Sequence, residues 1–407
     1  MADLQDEQHA TGEVGEEDRR EQAPAAEGTE PASAAGSAEP SGSAEPSGSA
    51  EPSGSAASSG AVAGRPQPVE PAPGPEARAR ALLARHPVAD GYSGLAGALR
   101  QLSWYDLELG ESALQTDLPR LREGAVGAMF WSLRVPDTYA GDRAVSATLE
   151  LIDLAESVVR EHPEGLRMAR SASHTVDARS HGRIACLLGP AGAAAMGDSL
   201  GALRALHTLG VRSLALHGTR WAHESGLSRF GEEVVREMNR LGVLADLSGS
   251  SAGTIQRTLA VSKAPVVFSR SAARALVDHP DNIPDDVLGA LGDNKGLCLV
   301  PCAAAQTGPT LRDVADHLDH VRRVAGPECV GISGTYDTED PLADGLQDTS
   351  RYPQLIAELL ERDWPESDVA LLTWGNVQRV LRDADFTARA AQLRRPPSTA
   401  TIDRLDA

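Results

Sequence analysis

No stretch of the chain approaches 18 consecutive apolar residues, and no basic start followed by an apolar run opens it. A transmembrane anchor and a Sec-type signal peptide are therefore not expected, and no membrane partner is. Positive charge is short: the 407 residues carry a net charge of −20, of which −12 lies in residues 1–76. The remaining 331 residues are mildly acidic, at −8. Nothing concentrates positive charge on one face, which excludes nucleic acid as an expected partner. The four cysteines, Cys186, Cys298, Cys302 and Cys329, are too few and too irregularly spaced for a disulfide framework or a zinc ribbon. They read as small buried residues, Cys298 and Cys302 on or just after one strand. Lysine is nearly missing, with Lys263 and Lys295 the only two among 38 basic residues. Together with abundant Ala, Gly and Arg, this points to a GC-rich bacterial genome and a cytoplasmic protein.

What is present divides sharply. Residues 36–41, Gly-Ser-Ala-Glu-Pro-Ser, repeat as 42–47 and 48–53, and a proline-rich stretch ends at Pro75. Such a segment has almost nothing apolar to offset its ordering entropy, so residues 1–76 are expected to be a disordered acidic tail. From residue 77 to 407 the pattern is strand and helix in alternation. Apolar runs at 87–92, 125–135, 183–189, 211–217, 243–248, 264–269, 297–303 and 328–333 read as strands. Amphipathic segments at 144–160, 199–209, 230–241, 252–262, 285–292, 310–325 and 353–362 read as helices, with Thr310 and Asp313 set for a capping box. Eight such units predict an α/β protein, a closed (β/α)8 TIM-type barrel. The segment 365–388 reads as an extra C-terminal helix on its outside. No Gly-x-Gly-x-x-Gly or Walker sequence follows any strand, which weakens nucleotide binding.

Chemistry on such a barrel belongs where strands end. Those ends read Tyr92-Ser93-Gly94, Pro190-Ala191-Gly192, His217-Gly218-Thr219, Ser248-Gly249-Ser250, Ser269-Arg270-Ser271 and Gly334-Thr335-Tyr336-Asp337. One His, one Arg and one Asp among small residues are too few for a hydrolytic metal site. No Gly-x-Ser-x-Gly elbow is present either.

Longer strings carry a resemblance. Asp90-Gly91 with Ala98-Leu99-Arg100, Thr116-Asp-Leu-Pro-Arg-Leu121, Gly127-Ala-Met-Phe-Trp-Ser132 and Ser199-Leu-Gly-Ala-Leu-Arg204 occur in order. Phe230-Gly-Glu-Glu-Val-Val-Arg-Glu-Met-Asn239, Asp246-Leu-Ser248, Ala264-Pro-Val-Val-Phe-Ser269, Pro284-Asp-Asp-Val287 and Val330-Gly-Ile332 follow. From about Asp90 onward the chain resembles the membrane (renal) dipeptidase family, zinc peptidases with a (β/α)8 barrel and a binuclear site. The resemblance implies two zinc ions in an active member, and a homodimer, since members of the family form them.

The departures fall on the chemistry. The family's His-x-Asp pair corresponds to Tyr92 and Gly94, its bridging Glu to Ala191, and its two further His ligands to Gly249 and Arg270. The last two lie 21 residues apart, as in the family. The catalytic Asp corresponds to Thr335, although Asp337 follows it. The substrate-binding His and Arg correspond to Gly218 and Asp281, and the loop after the fourth strand is shortened.

Glycine and alanine offer no donor atom, and the Arg270 guanidinium would repel a divalent cation. Other histidines do not restore the set. A one-residue shift along a strand is expected to aim His217 into the helix layer. His223-Glu224 sits in the shortened loop, His174 and His181 flank Asp177 on the wrong face, and His317 and His320 read as a solvated helix face. No cofactor is therefore expected. Two functional readings remain: a pseudoenzyme with a binding or scaffolding role, or an active hydrolase, either a metallodipeptidase or related enzyme using unrecognised ligands or one acting on another substrate with Asp337 and Arg270. The expected ligand is a small anion or peptide-like molecule at the mouth. Arg270 would form an anion site ringed by Ser269, Ser271 and Thr335, unless it pairs with Asp337 or Asp246.

Overall fold

A computed structural model describes residues 73–110 and 113–407, so the tail expected over 1–76 lies almost wholly outside the described residues. The body begins with helix Pro75–Arg85, just before the boundary expected at 77. Each of the eight expected runs overlaps a strand: Val88–Ser93, Val126–Leu133, Ile184–Gly192, Ser213–Ala215, Leu244–Asp246, Val267–Phe268, Leu297–Pro301 and Val330–Ser333. They pair in that order and in parallel. A short strand, Leu166–Met168, adds beside the start of the third. Between strands lie helices whose apolar positions recur every three or four residues. Asp142–Glu161, for example, buries Ala144, Ala147, Leu151, Ile152, Ala155 and Val158. Thr310 and Asp313 form the expected capping box.

The ring closes between the first and eighth strands, just past the end of the eighth. Thr335 N donates to Tyr92 O at 2.9 Å and Gly94 N donates to Tyr336 O at 2.8 Å. Asp90, fully buried, joins the same seam. Its Oδ1 accepts from Tyr92 N (3.1 Å) and Gly334 N (2.7 Å), and Tyr352 Oη donates to Oδ2 at 2.8 Å. Position 334 admits only glycine, because a Cβ there would lie 2.5 Å from Tyr352 Oη and 2.6 Å from Asp90 Oδ2.

Inward-facing Ala89, Phe130, Leu187, Leu244, Val267 and Leu299 form the barrel's inner core. The C-terminal helix, Asn376–Gln392, does not lie on the outside as expected. Its Val377, Val380, Leu381 and Ala384 join that inner core, and Asn376 Nδ2 donates to Val330 O where the eighth strand starts. An open barrel end would leave apolar side chains wet, and this helix covers the N-terminal end. The opposite end is left for chemistry. Among the described residues no helix is long and apolar enough to cross a membrane.

Candidate functional site at the barrel mouth

A cavity of about 730 Å³ opens at the C-terminal ends of the strands, lined among others by Tyr92, Arg134, His217, Gly249, Arg270 and Asp281. Its size suits a small organic molecule. Helices leading away from the mouth loops start on serine caps. Ser199, Ser228 and Ser251 accept from the backbone N–H groups of Ala202, Gly231 and Thr254, which fixes where each loop must end.

Of the eight positions singled out by the resemblance, five line the cavity: Tyr92, Gly218, Gly249, Arg270 and Asp281. The other three do not reach it. Pro190 and Gly192 line the wall, while Ala191 between them is buried beside Leu133 and Leu214. Thr335 is fully buried, with its Oγ1 donating to Gly334 O. Gly94 is packed so closely on the backbone that a Cβ would lie 2.2 Å from Asp337 O. No carboxylate can stand at position 94 without moving the seam.

Arg270 is held differently from either expectation. Its Nη1 donates to Asp340 at 3.3 Å rather than to Asp337 or Asp246, and its guanidinium carbon lies 5.4 Å from the Tyr92 ring centre. Asp246 is already satisfied by Ser248 N (3.1 Å), Ser269 N (3.0 Å) and Ser269 Oγ (2.5 Å). Asp337 turns away from the mouth, accepting from Gln115 N at 2.7 Å. The expected hydroxyl ring is not formed, since Ser269 and Thr335 donate elsewhere and the Ser271 hydroxyl is buried with no partner among the described residues. Arg270 and Asp337, which one form of the hydrolase reading uses together, have separate partners.

His217 lines the mouth instead of entering the helix layer. The fourth strand ends at Ala215, so strict alternation of faces stops before residue 217. Burial is the main influence holding its pKa below the ordinary range, so the imidazole is neutral at pH 7. His223 lies in an exposed hairpin with its Nδ1 against Ser225 Oγ (2.8 Å). His317 and His320 are buried rather than solvated. His317 Nδ1 accepts from Ala273 N (3.0 Å), and His320 Nε2 lies 2.7 Å from Asp285. Their helix packs against Asp285–Asn294, which the sequence period alone does not disclose. All four cysteines are free and buried.

Several mouth residues escaped the sequence reading, among them Arg134, Asp137, Asp142, Asp198 and Arg220. Arg134 and Asp137 follow the second strand, pair at 2.9 Å and line the cavity. Counting outward from the strand end would have found Arg134. Asp137, Asp142, Asp198, Asp246 and Asp281 line the mouth against Arg134, Arg220 and Arg270. Arg220 pairs with Asp198 at 2.9 Å, whereas among the described residues no hydrogen bond or ion pair engages the Asp281 carboxylate. Zinc needs three or four converging donors. Among the described residues no group of three or more His, Cys, Asp or Glu could hold a metal. The donor set does not fit the binuclear centre that the resemblance implies.

The model of the membrane dipeptidase family, peptidase family M19, matches residues 76–395. Dipeptidase 3 of Homo sapiens is 40% identical over 342 residues, covering 78% of this chain and 69% of that protein. Dipeptidase verJ of Clonostachys rogersoniana is 36% identical over 334 residues, covering 75% of this chain and 86% of that protein. A metallopeptidase from Rhodobacter sphaeroides, crystallised with a phosphinate mimic of L-Ala-D-Ala, has the same fold. It superposes with a TM-score of 0.68 at 22% identity, covering 74% of this chain and 99% of that one. This chain belongs to the membrane dipeptidase family.

Proposed function

We propose that the protein is a non-hydrolytic member of its family, a pseudoenzyme whose barrel binds a small ligand at the mouth without cleaving it. The observation that carries this reading is the mouth's wall, where a glycine (Gly249) and a guanidinium (Arg270) stand in place of metal donors. The mouth imidazole, His217, stands beside the Asp281 carboxylate, while Asp246 is held by Ser248 and Ser269 and Asp137 pairs with Arg134. Among the described residues this set does not make a metal's shell. The seam supports it too, because Gly94 is packed against the Asp337 backbone and leaves no room for a ligating side chain. A cavity of this size with no metal shell among the described residues, and with its Ser269 hydroxyl buried and tied to Asp246, suits recognition rather than hydrolysis. Metal content measured together with dipeptide hydrolysis tests the reading.

A further inference from the structure

We propose that the mouth is a receptor for a small linear zwitterion, its carboxylate gripped by Arg270 and its ammonium by Asp281. The inference rests on the non-hydrolytic reading of the same cavity and gives it a ligand chemistry.

The argument begins with where the charges sit on the ring. Arg270 stacks on Tyr92 of the first strand and reaches Asp340 beyond the eighth, so its guanidinium leans over the seam between those two strands. Asp281 Oδ1 and His217 Cδ2 each lie 3.7 Å from the place a Cβ would take on Gly249. They therefore stand over the fourth and fifth strands. In a ring of eight, these two places face each other across the mouth. Between them the wall at the third and fourth strands is small and apolar, with Pro190, Gly192, Ala194 and Ala215, which suits a run of methylenes, while Arg134 and Asp137 at the second strand pair with each other.

The two ends are also available. Arg270 spends one nitrogen on Asp340 at 3.3 Å, and that carboxylate is 42% exposed. An exposed single contact is weak, so an incoming carboxylate can displace it and take the guanidinium with two parallel hydrogen bonds. The Asp281 carboxylate has no hydrogen-bond or ion-pair partner to displace among the described residues, and Arg134 lies only within electrostatic reach. The neutral His217 adds no positive charge beside it. A plain anion is disfavoured because carboxylates outnumber guanidiniums around the cavity. An ammonium on the same molecule cancels that field, and a plain amine leaves Arg270 unused.

The test is calorimetric titration of the purified full chain with glycine, β-alanine, γ-aminobutyrate and ε-aminocaproate, alongside butylamine and butyrate. A zwitterion whose length matches the span should bind about tenfold or more tightly than either singly charged compound, one charge-assisted contact being worth that much. In Arg270→Gln the zwitterion should bind no better than butylamine, and in Asp281→Asn no better than butyrate, with near-UV circular dichroism unchanged in both. Absence of binding by every zwitterion, equal binding of the singly charged compounds, or unchanged affinity in the two variants would overturn the proposal. None of these probes contains a peptide bond. Zinc or dipeptide hydrolysis in the same preparation therefore counts against the non-hydrolytic reading alone.

Discussion

The guanidinium carbon of Arg270 lies 5.4 Å from the centre of the Tyr92 ring, at the ends of the sixth and first strands. Tyr92 is itself anchored, its Oη accepting from Ser132 Oγ at 2.9 Å. A stacked cation and ring occupy the part of the mouth where the resemblance would put metal ligands. The pair orients Arg270 without consuming its hydrogen-bonding edge.

Because the only ion-pair partner of Arg270 among the described residues is the partly exposed Asp340, removing the side chain leaves no buried charge stranded. Arg270→Ala should therefore lower stability by about 1–2 kcal/mol, the stacking plus a weak bridge. Urea unfolding checks this. A loss of about 4 kcal/mol would instead mean a buried partner deprived of its counter-charge.

Gly94→Asp restores a carboxylate at a position the family uses for metal. Here its Cβ would meet Asp337 O at 2.2 Å, and that backbone belongs to the closing seam. The variant should be destabilised by about 3 kcal/mol and should gain no zinc. Denaturant melts with metal analysis decide it, and an unperturbed melt with new zinc would contradict the packing argument.

Two buried groups give opposite acid responses. Burial raises the Asp90 pKa from 3.8 to about 6, with donation from Gly334, Tyr92 and Tyr352 opposing it. The folded state then holds this proton more tightly than the unfolded chain. Its contribution is full below about pH 4, falls as pH rises toward 6, and is flat above. Burial, aided by His320, lowers His317 to about 4, so its contribution is present above pH 6.5 and lost as pH falls through 4. Stability measured against pH should show wild type minus Asp90→Asn falling by about 3 kcal/mol between pH 4 and 6. The difference from His317→Asn should rise over the same window. Parallel curves in either comparison would mean that the group does not titrate there.

The eight strands were legible because each is an apolar run closed off by small or turn residues, as at Leu297–Pro301 and Val330–Ser333. The helix at 376–392 was legible as a helix but not as a plug, since its period says which face is apolar and not what that face covers. The mouth was half legible. Counting along strands placed Tyr92, Gly218, Gly249 and Arg270, and the resemblance alone placed Asp281, yet counting failed for His217, where the strand had already ended, and for Ala191, which lies buried between two lining residues. Arg270's true partner, Asp340, comes from a loop after the eighth strand that no periodicity positions.

The most direct measurement is zinc per chain after dialysis against excess zinc and then buffer, paired with hydrolysis of a simple dipeptide with and without chelator. The mouth described here predicts far less than one zinc per chain and no chelator-sensitive hydrolysis. Two zinc ions per chain, with hydrolysis abolished by chelator, would contradict it.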